Sequence, residues 1–400
     1  MPTAGSAFGV PAGQHTVRQH NQQLILAALA AATGSRTDLA ARTGLTKATV
    51  SSLVDELLSA GLVAEGEAAP SGPGRPSRPI SFAASGPVAV GVEINVDYLA
   101  AAVLDLAGDT VALTVRPSAN RDRAPRDLLA SAEGLASSLL RDLDRPLLGA
   151  AVAVPGAVAA NGRVLRAPNL PRLTGADLSA LAGPDFAGRS GRPVVAENEA
   201  NAAALAWARS VRSTTDFAYV SGEIGVGAGL VVNGALFRGA HGFAGELGHV
   251  VVEAAGPACG CGGRGCVEQY AGQEVILAAA EVSEPGGLIE ALAAGSVPAR
   301  RAVEQAGRAL GVGLASLLNS VDVPQVVLGG LYGRVFDEIS PVLSEELARR
   351  ALSVTAGDDL LVRSALGVEA AAIGASGMVV EGALAEPQEL LRALSGSAAS

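Results

Sequence analysis

The 400-residue chain holds a single lysine, Lys47, one tryptophan, three cysteines and only 3% aromatic residues. So few rings leave no aromatic-stacking surface for single-stranded nucleic acid. Three cysteines cannot all pair, and a bond between Cys259 and Cys261 would close a strained ring, so a disulfide framework is excluded. No charge-free apolar run of ~18 residues with membrane flanks occurs, and the opening MPTAGSAFGVPAGQ lacks a basic stretch followed by an apolar one. The expected setting is the cytoplasm, with reduced thiols and no membrane partner. The net charge of −10 argues against nucleic acid when taken whole, but residues 1–83 carry six basic and five acidic side chains and the remainder carries −11.

What is abundant is small: 50 glycines and a heavy alanine load within a 49% hydrophobic chain, which suggests strands and helices in close contact. The length exceeds the usual single core, so two or three domains are expected. Residues 1–13 read as a disordered lead-in, 14–83 as a DNA-binding domain, 86–390 as a larger α/β domain and 391–400 as a tail.

Within 14–83, Leu24, Ile25, Ala28 and Leu29 have the spacing of an amphipathic helix, a short second helix carries Leu39 and Ala40, and Gly44 breaks before Thr46 caps a third. Val50, Leu53, Val54 and Leu57 form the core stripe of that third helix. Thr46, Lys47, Thr49, Ser51 and Ser52 lie at its start or off the stripe, small and hydrogen-bonding, as a helix entering a major groove requires. A plain helical bundle shares this period. The following P-S-G-P-G-R-P-S-R-P lies between two β-like runs and reads as a wing, in which Arg75 and Arg78, with no acids nearby, reach phosphates or a narrow minor groove; an ordinary linker is the alternative.

From Ser85 the order is βββαβ with a parallel crossover, and a second strand–helix set begins at Phe217. Val194–Ala204 runs a strand into a helix with Asn198 and Glu199 at the junction, where simple capping is the bland alternative. Cys259, Cys261 and Cys266 share one Gly-rich loop that lets the sulfurs turn to one point. With His249 they make a Cys₃His set, the tetrahedral donor chemistry of a closed structural zinc site; three unconnected thiols are the alternative. Glu246 and Glu268 stand within the same stretch.

The segments GELGH and CGCGGRGCVE resemble the sugar- and zinc-binding stretch of the ROK family, which joins sugar kinases to sugar-responsive transcriptional repressors. The helix-turn-helix followed by G-L-V and G-R-P resembles the winged head of the repressors, which the kinases lack. The resemblance runs from about Val17 to Gly382. It implies an α/β fold of the two-lobed actin-like (ribonuclease H-like) kind behind a winged helix-turn-helix head, with lobe one at about 86–200, lobe two at about 201–370 and a C-terminal helix at about 369–383 returning to lobe one. It also implies that Asn198, Glu199, Glu246, His249 and Glu268 contact a monosaccharide, that His249, Cys259, Cys261 and Cys266 hold structural zinc, and that the partner is operator DNA met by a homodimer or dimer of dimers.

The family's D-x-G-G-T phosphate turn reads Glu93-Ile94-Asn95-Val96-Asp97 here, adding side chains and a charge where phosphate would approach. The second turn begins with Ile224 where kinases have threonine, beside Glu223, while Gly329-Gly330 keeps the shape of the adenosine motif. The base position holds Glu199 in place of aspartate. No ATP binding and no catalysis are therefore expected, and the expected function is a sugar-released repressor of carbohydrate-utilisation genes. The alternatives are a sugar kinase, a bifunctional kinase and regulator, or an activator or adaptor using the same head.

Overall fold

The computed structural model describes residues 14–67, 77–183, 186, 190–211, 215–355, 357 and 359–397. The expected lead-in at 1–13 and Arg75 lie outside the described residues. Backbone contacts divide the chain into two units: Met1–Val88 with Asp105–Asp109 and Val380–Ser400, and Ala89–Leu104 with Thr110–Val379.

The first unit begins with helices α1 (Gln14–Ala31), α2 (Arg36–Thr43) and α3 (Lys47–Ser59), then the antiparallel strands β1 (Val63–Glu65) and β2 (Ile80–Phe82). Ser35 and Asp38 form a capping box at the start of α2, and Gly44 ends it at φ 71°, in the left-handed region that suits glycine. Thr46 caps α3, its hydroxyl accepting from the Thr49 N–H at 3.2 Å. Val50, Leu53, Val54 and Leu57 are buried, as are Ile25, Leu26 and Leu39 of the same unit, each contributing about 1.5–3 kcal/mol on burial. Arg36 binds the Ser51 carbonyl and ion-pairs with Asp55 and Glu65, both at 2.8 Å, so it ties α2, α3 and the β-hairpin together.

The second unit contains two five-stranded sheets. The first is built from β3 (Val88–Ile94), β4 (Tyr98–Asp105), β5 (Thr110–Pro117), α4 (Pro125–Leu140), β6 (Leu147–Val154), the small hairpin β7 (Ala157–Val158) and β8 (Val164–Arg166), α5 (Leu178–Leu181) and β9 (Val195–Asn198). The second follows from α6 (Glu199–Val211), β10 (Phe217–Gly222), β11 (Gly227–Val232), β12 (Ala235–Leu236), α7 (Glu268–Ala271), α8 (Gln273–Ala279), α9 (Pro285–Ala293), α10 (Val297–Val321), β13 (Val326–Gly329), α11 (Gly330–Arg334), α12 (Phe336–Arg350) and β14 (Leu361–Arg363). Their strand orders, β5-β4-β3-β6-β9 and β12-β11-β10-β13-β14, are the same in sequence of use, which makes the second lobe a repeat of the first. In each, an antiparallel pair flanks a parallel one: β4–β5 and β6–β9, then β10–β11 and β10–β13.

Small residues set the spacing. A Cβ on Gly91 of β3 would collide with the backbone of Ala372 and Ser376, and one on Gly229 of β11 with that of Ala200. Helices therefore lie directly on the sheets, as the glycine and alanine content foreshadows.

The chain closes with α13 (Ala370–Ala385) and α14 (Pro387–Ser397). Residues 391–397 of the expected tail at 391–400 belong to α14. Within the first unit the last turns of the chain meet α1: Gln19 donates to Glu386 at 3.0 Å, Gln388 bonds the buried Gln22, and Leu390 is fully buried. One correction concerns Arg78, expected to be free of acids. It is exposed but lies 3.7 Å from Glu65, which the antiparallel pairing of β1 and β2 brings across the hairpin.

Candidate functional site

In the first unit, Thr46, Lys47 and Ser52 are exposed and Thr49 and Ser51 half-buried along one side of α3, away from its core stripe. Arg78 stands on the neighbouring hairpin. The exposed side of α3 thus carries one ammonium and short hydroxyl side chains, while its acids are paired, Asp55 with Arg36 at 2.8 Å and Glu56 with Arg18 at 2.7 Å and Gln22 at 2.8 Å.

In the second unit, a pocket between the sheets gathers Asn198, Glu199, Glu246, His249 and Glu268, all five residues expected to touch sugar. Asn198 ends β9 and Glu199 begins α6, so both emerge where strand becomes helix. The Asn198 amide donates to the Gly156 carbonyl at 3.1 Å and to Glu199 at 2.7 Å, while its oxygen accepts from the Asn201 N–H at 3.0 Å and caps the helix. Glu246 and His249 flank a single 3-10 turn, Leu247–His249, with His249 Nε2 at 3.8 Å from Glu246. Glu268 opens α7, and a Cβ on Gly225 would displace the Glu268 carboxylate and the Asn169 amide from where they stand.

Burial, then the negative charges of Glu93 and Glu246, hold Glu199 well above the ordinary carboxylate range. Burial also raises Glu246, against the pull of His249. A pocket that buries Glu199 and Glu246 and is lined by Asn198 and Asn169 suits an uncharged ligand rich in hydroxyls, which both donates and accepts. Asn95, named above only for the altered phosphate turn, also lines it, as do Asn169 and Ser221, whose surroundings in sequence have no distinctive spacing and which sequence reasoning passed over. Glu197 was missed as well. It is 4% exposed, accepts from Arg238 at 2.7 Å and Asn201 at 2.9 Å, and so joins β9 to the segment after β12.

The ligand atoms of His249, Cys259, Cys261 and Cys266 all lie within 4.8 Å of one another. Cys261 and Cys266 sulfurs are 3.7 Å apart and Cys259 Sγ is 3.8 Å from His249 Nδ1. A tetrahedron with metal–sulfur bonds of ~2.3 Å has edges of about 3.8 Å, so the donor set fits a zinc-sized ion. Burial and the neighbouring thiols push Cys266 up to about 12, a spacing of sulfurs that favours a cation among them. His249 faces both ways: Nδ1 toward the sulfurs and Nε2 toward Glu246 and the pocket. Arg166, from β8, bonds the Cys261 carbonyl and anchors the loop to the first lobe.

The fold and pocket define a winged-helix head joined to a two-lobed, sugar-kinase-like domain. Residues 89–381 match the ROK family and residues 19–72 the MarR family. The chain belongs to the ROK family. It is 30% identical over 409 residues to a xylose repressor of Caldicellulosiruptor bescii, covering 94% of this chain and 99% of that protein. It is 29% identical over 380 residues to a xylose repressor of Bacillus spizizenii, covering 92% and 97%. In structure it is similar to a ROK family transcriptional regulator that is a homologue of the E. coli MLC protein, with a TM-score of 0.75 at 24% identity over 95% of this chain and 99% of that one.

Proposed function

We propose that the protein is a sugar-responsive DNA-binding repressor and not an enzyme: a free monosaccharide held by Asn198, Glu199, Glu246, His249 and Glu268 releases it from operator DNA. The observation that carries this reading is the pairing in one chain of a MarR-type head with a polar pocket whose phosphate turns are altered. Asn95 and Val96 are buried side chains where phosphate would need bare backbone, and burial pushes Glu223 up to about 7 beside them. Glu199, held toward its protonated form, is poorly suited to withdraw a proton from a hydroxyl. The full-length repressor relatives support the regulatory role over the kinase one.

In this reading zinc is bound by His249, Cys259, Cys261 and Cys266 with no open position, so it fixes the loop leading to Glu268 and supplies no catalysis. Thr46, Lys47, Thr49, Ser51 and Ser52 meet the major groove, with Arg78 and Arg75 toward the backbone, and a cytoplasmic dimer reads a palindrome.

The test is reciprocity. Coupling of about 1–3 kcal/mol makes sugar weaken operator binding roughly 5–150-fold, and operator DNA must then weaken sugar binding by the same factor. Calorimetry of xylose and other monosaccharides with and without operator measures both. Equal sugar affinities in the two states, for a sugar that binds, would remove the switch from the proposal.

A further inference from the structure

Beside the sugar pocket, the second unit holds a larger cavity of about 560 Å³, within the range of small-molecule sites. Its wall carries Asp97, Glu223 and Glu369 with one guanidinium, Arg334, and an apolar side that includes Leu366 and Val368. A narrow recess shares Tyr98 and Glu223 with the cavity and reaches Glu93.

Glu93 is 1% exposed. Its Oε1 accepts from the Asn95 amide at 2.9 Å and the Tyr98 hydroxyl at 3.0 Å, whereas its Oε2 is buried without a partner. A buried carboxylate oxygen without a donor is unfavourable and marks a place where a donor belongs. Burial and the proximity of Glu223 and Glu369 push Glu93 up to about 8. The lining of cavity and recess thus sets four carboxylates, Glu93, Asp97, Glu223 and Glu369, against the one guanidinium of Arg334. An anion is repelled by it. A bare metal ion is too small for the cavity, and among the described residues only the His249–cysteine set brings three or more ligand atoms close enough to hold one.

We propose that cavity and recess form a second ligand site, for a small organic cation: a protonated amine on a compact apolar body, the ammonium seated between Glu93 Oε2 and Glu223 and the body against Leu366 and Val368. Glu93 lies in β3 of the first lobe and Glu223 follows β10 of the second, so such a ligand joins the lobes beside the sugar pocket, with which the recess shares Glu199 and Glu223. The site stands independently of the repressor reading.

The experiment uses the full-length protein in reducing buffer, titrated by calorimetry with benzylamine and tyramine and with benzyl alcohol and benzoate as matched probes. The amines should bind at least tenfold more tightly than the alcohol, and benzoate should not bind. Glu223→Gln and Glu369→Gln should each weaken amine binding five- to tenfold or more, with circular dichroism melts showing that the variants are folded; Glu369 lies outside the sugar pocket. Equal binding of amine and alcohol would overturn the proposal. So would amine binding unchanged in both folded variants, a response to potassium alone, or no binding by any probe.

Discussion

At the scale of single residues, function is written in what surrounds each carboxylate. Glu268 and Glu199 lie in a pocket where glycines 225 and 227 leave room for carboxylate oxygens that a methyl group would displace. Glu93 shows the energetic side of such burial. Its partners are Asn95 and Tyr98, and Glu199, Glu223 and Glu369 add negative charge around it. Because burial raises it from an ordinary 4.5 to about 8 in the folded chain, the folded state holds a proton that the unfolded state gives up between those values. Stability linked to Glu93 is complete below about pH 4.5 and is lost as pH rises toward 8. Glu93→Gln, which cannot ionise, should flatten the decline in melting temperature between pH 5.5 and 8.5. A variant profile parallel to the parent's would show that Glu93 does not carry this proton.

At the scale of elements, α3 was legible because its apolar stripe, its Thr46 cap and the Gly44 break all agree on one helix. Its proposed place in the major groove predicts that Lys47→Ala weakens operator binding and relaxes the preference at the base pair it meets; filter-binding against operators changed one base pair at a time measures it, and an unchanged affinity and preference would move the reading surface elsewhere. The cysteine loop was legible from composition, since three cysteines and a nearby histidine have few other uses. Cys266→Ser should reduce bound zinc from about one equivalent per chain to well under half and lower the melting temperature, as metal analysis and calorimetric melts would show. If carefully reduced parent protein carries less than half an equivalent, the zinc assignment fails. What stayed hidden were pairings across sequence distance: Glu65 beside Arg78, Arg238 on Glu197, and Arg166 on the cysteine loop. Periodicity reports which face of an element is buried but not which element covers it. The helix α14 was lost for the same reason, as its short amphipathic run Pro387–Ser397 gains meaning only against α1.

At the scale of the whole molecule, the repeated strand order of the two lobes fixes the pocket between them, and nothing in local spacing announces that the second sheet repeats the first. The altered phosphate turns predict that no sugar tested with ATP yields phosphorylated product at kinase rates, on the order of 1–100 per second; a coupled assay over a monosaccharide panel checks this, and product at those rates would return the chain to the enzymes of its family. The first unit carries a different consequence. Its helix α1 bonds through Gln19 and Gln22 to Glu386 and Gln388, 367 and 366 residues further along the chain. At ~5–20 residues per second, roughly half a minute of translation separates the two partners. The bonds that Gln19 and Gln22 make therefore wait for the far end of this long stretch of chain, so a chain cut short before Glu386 folds its first helix without them.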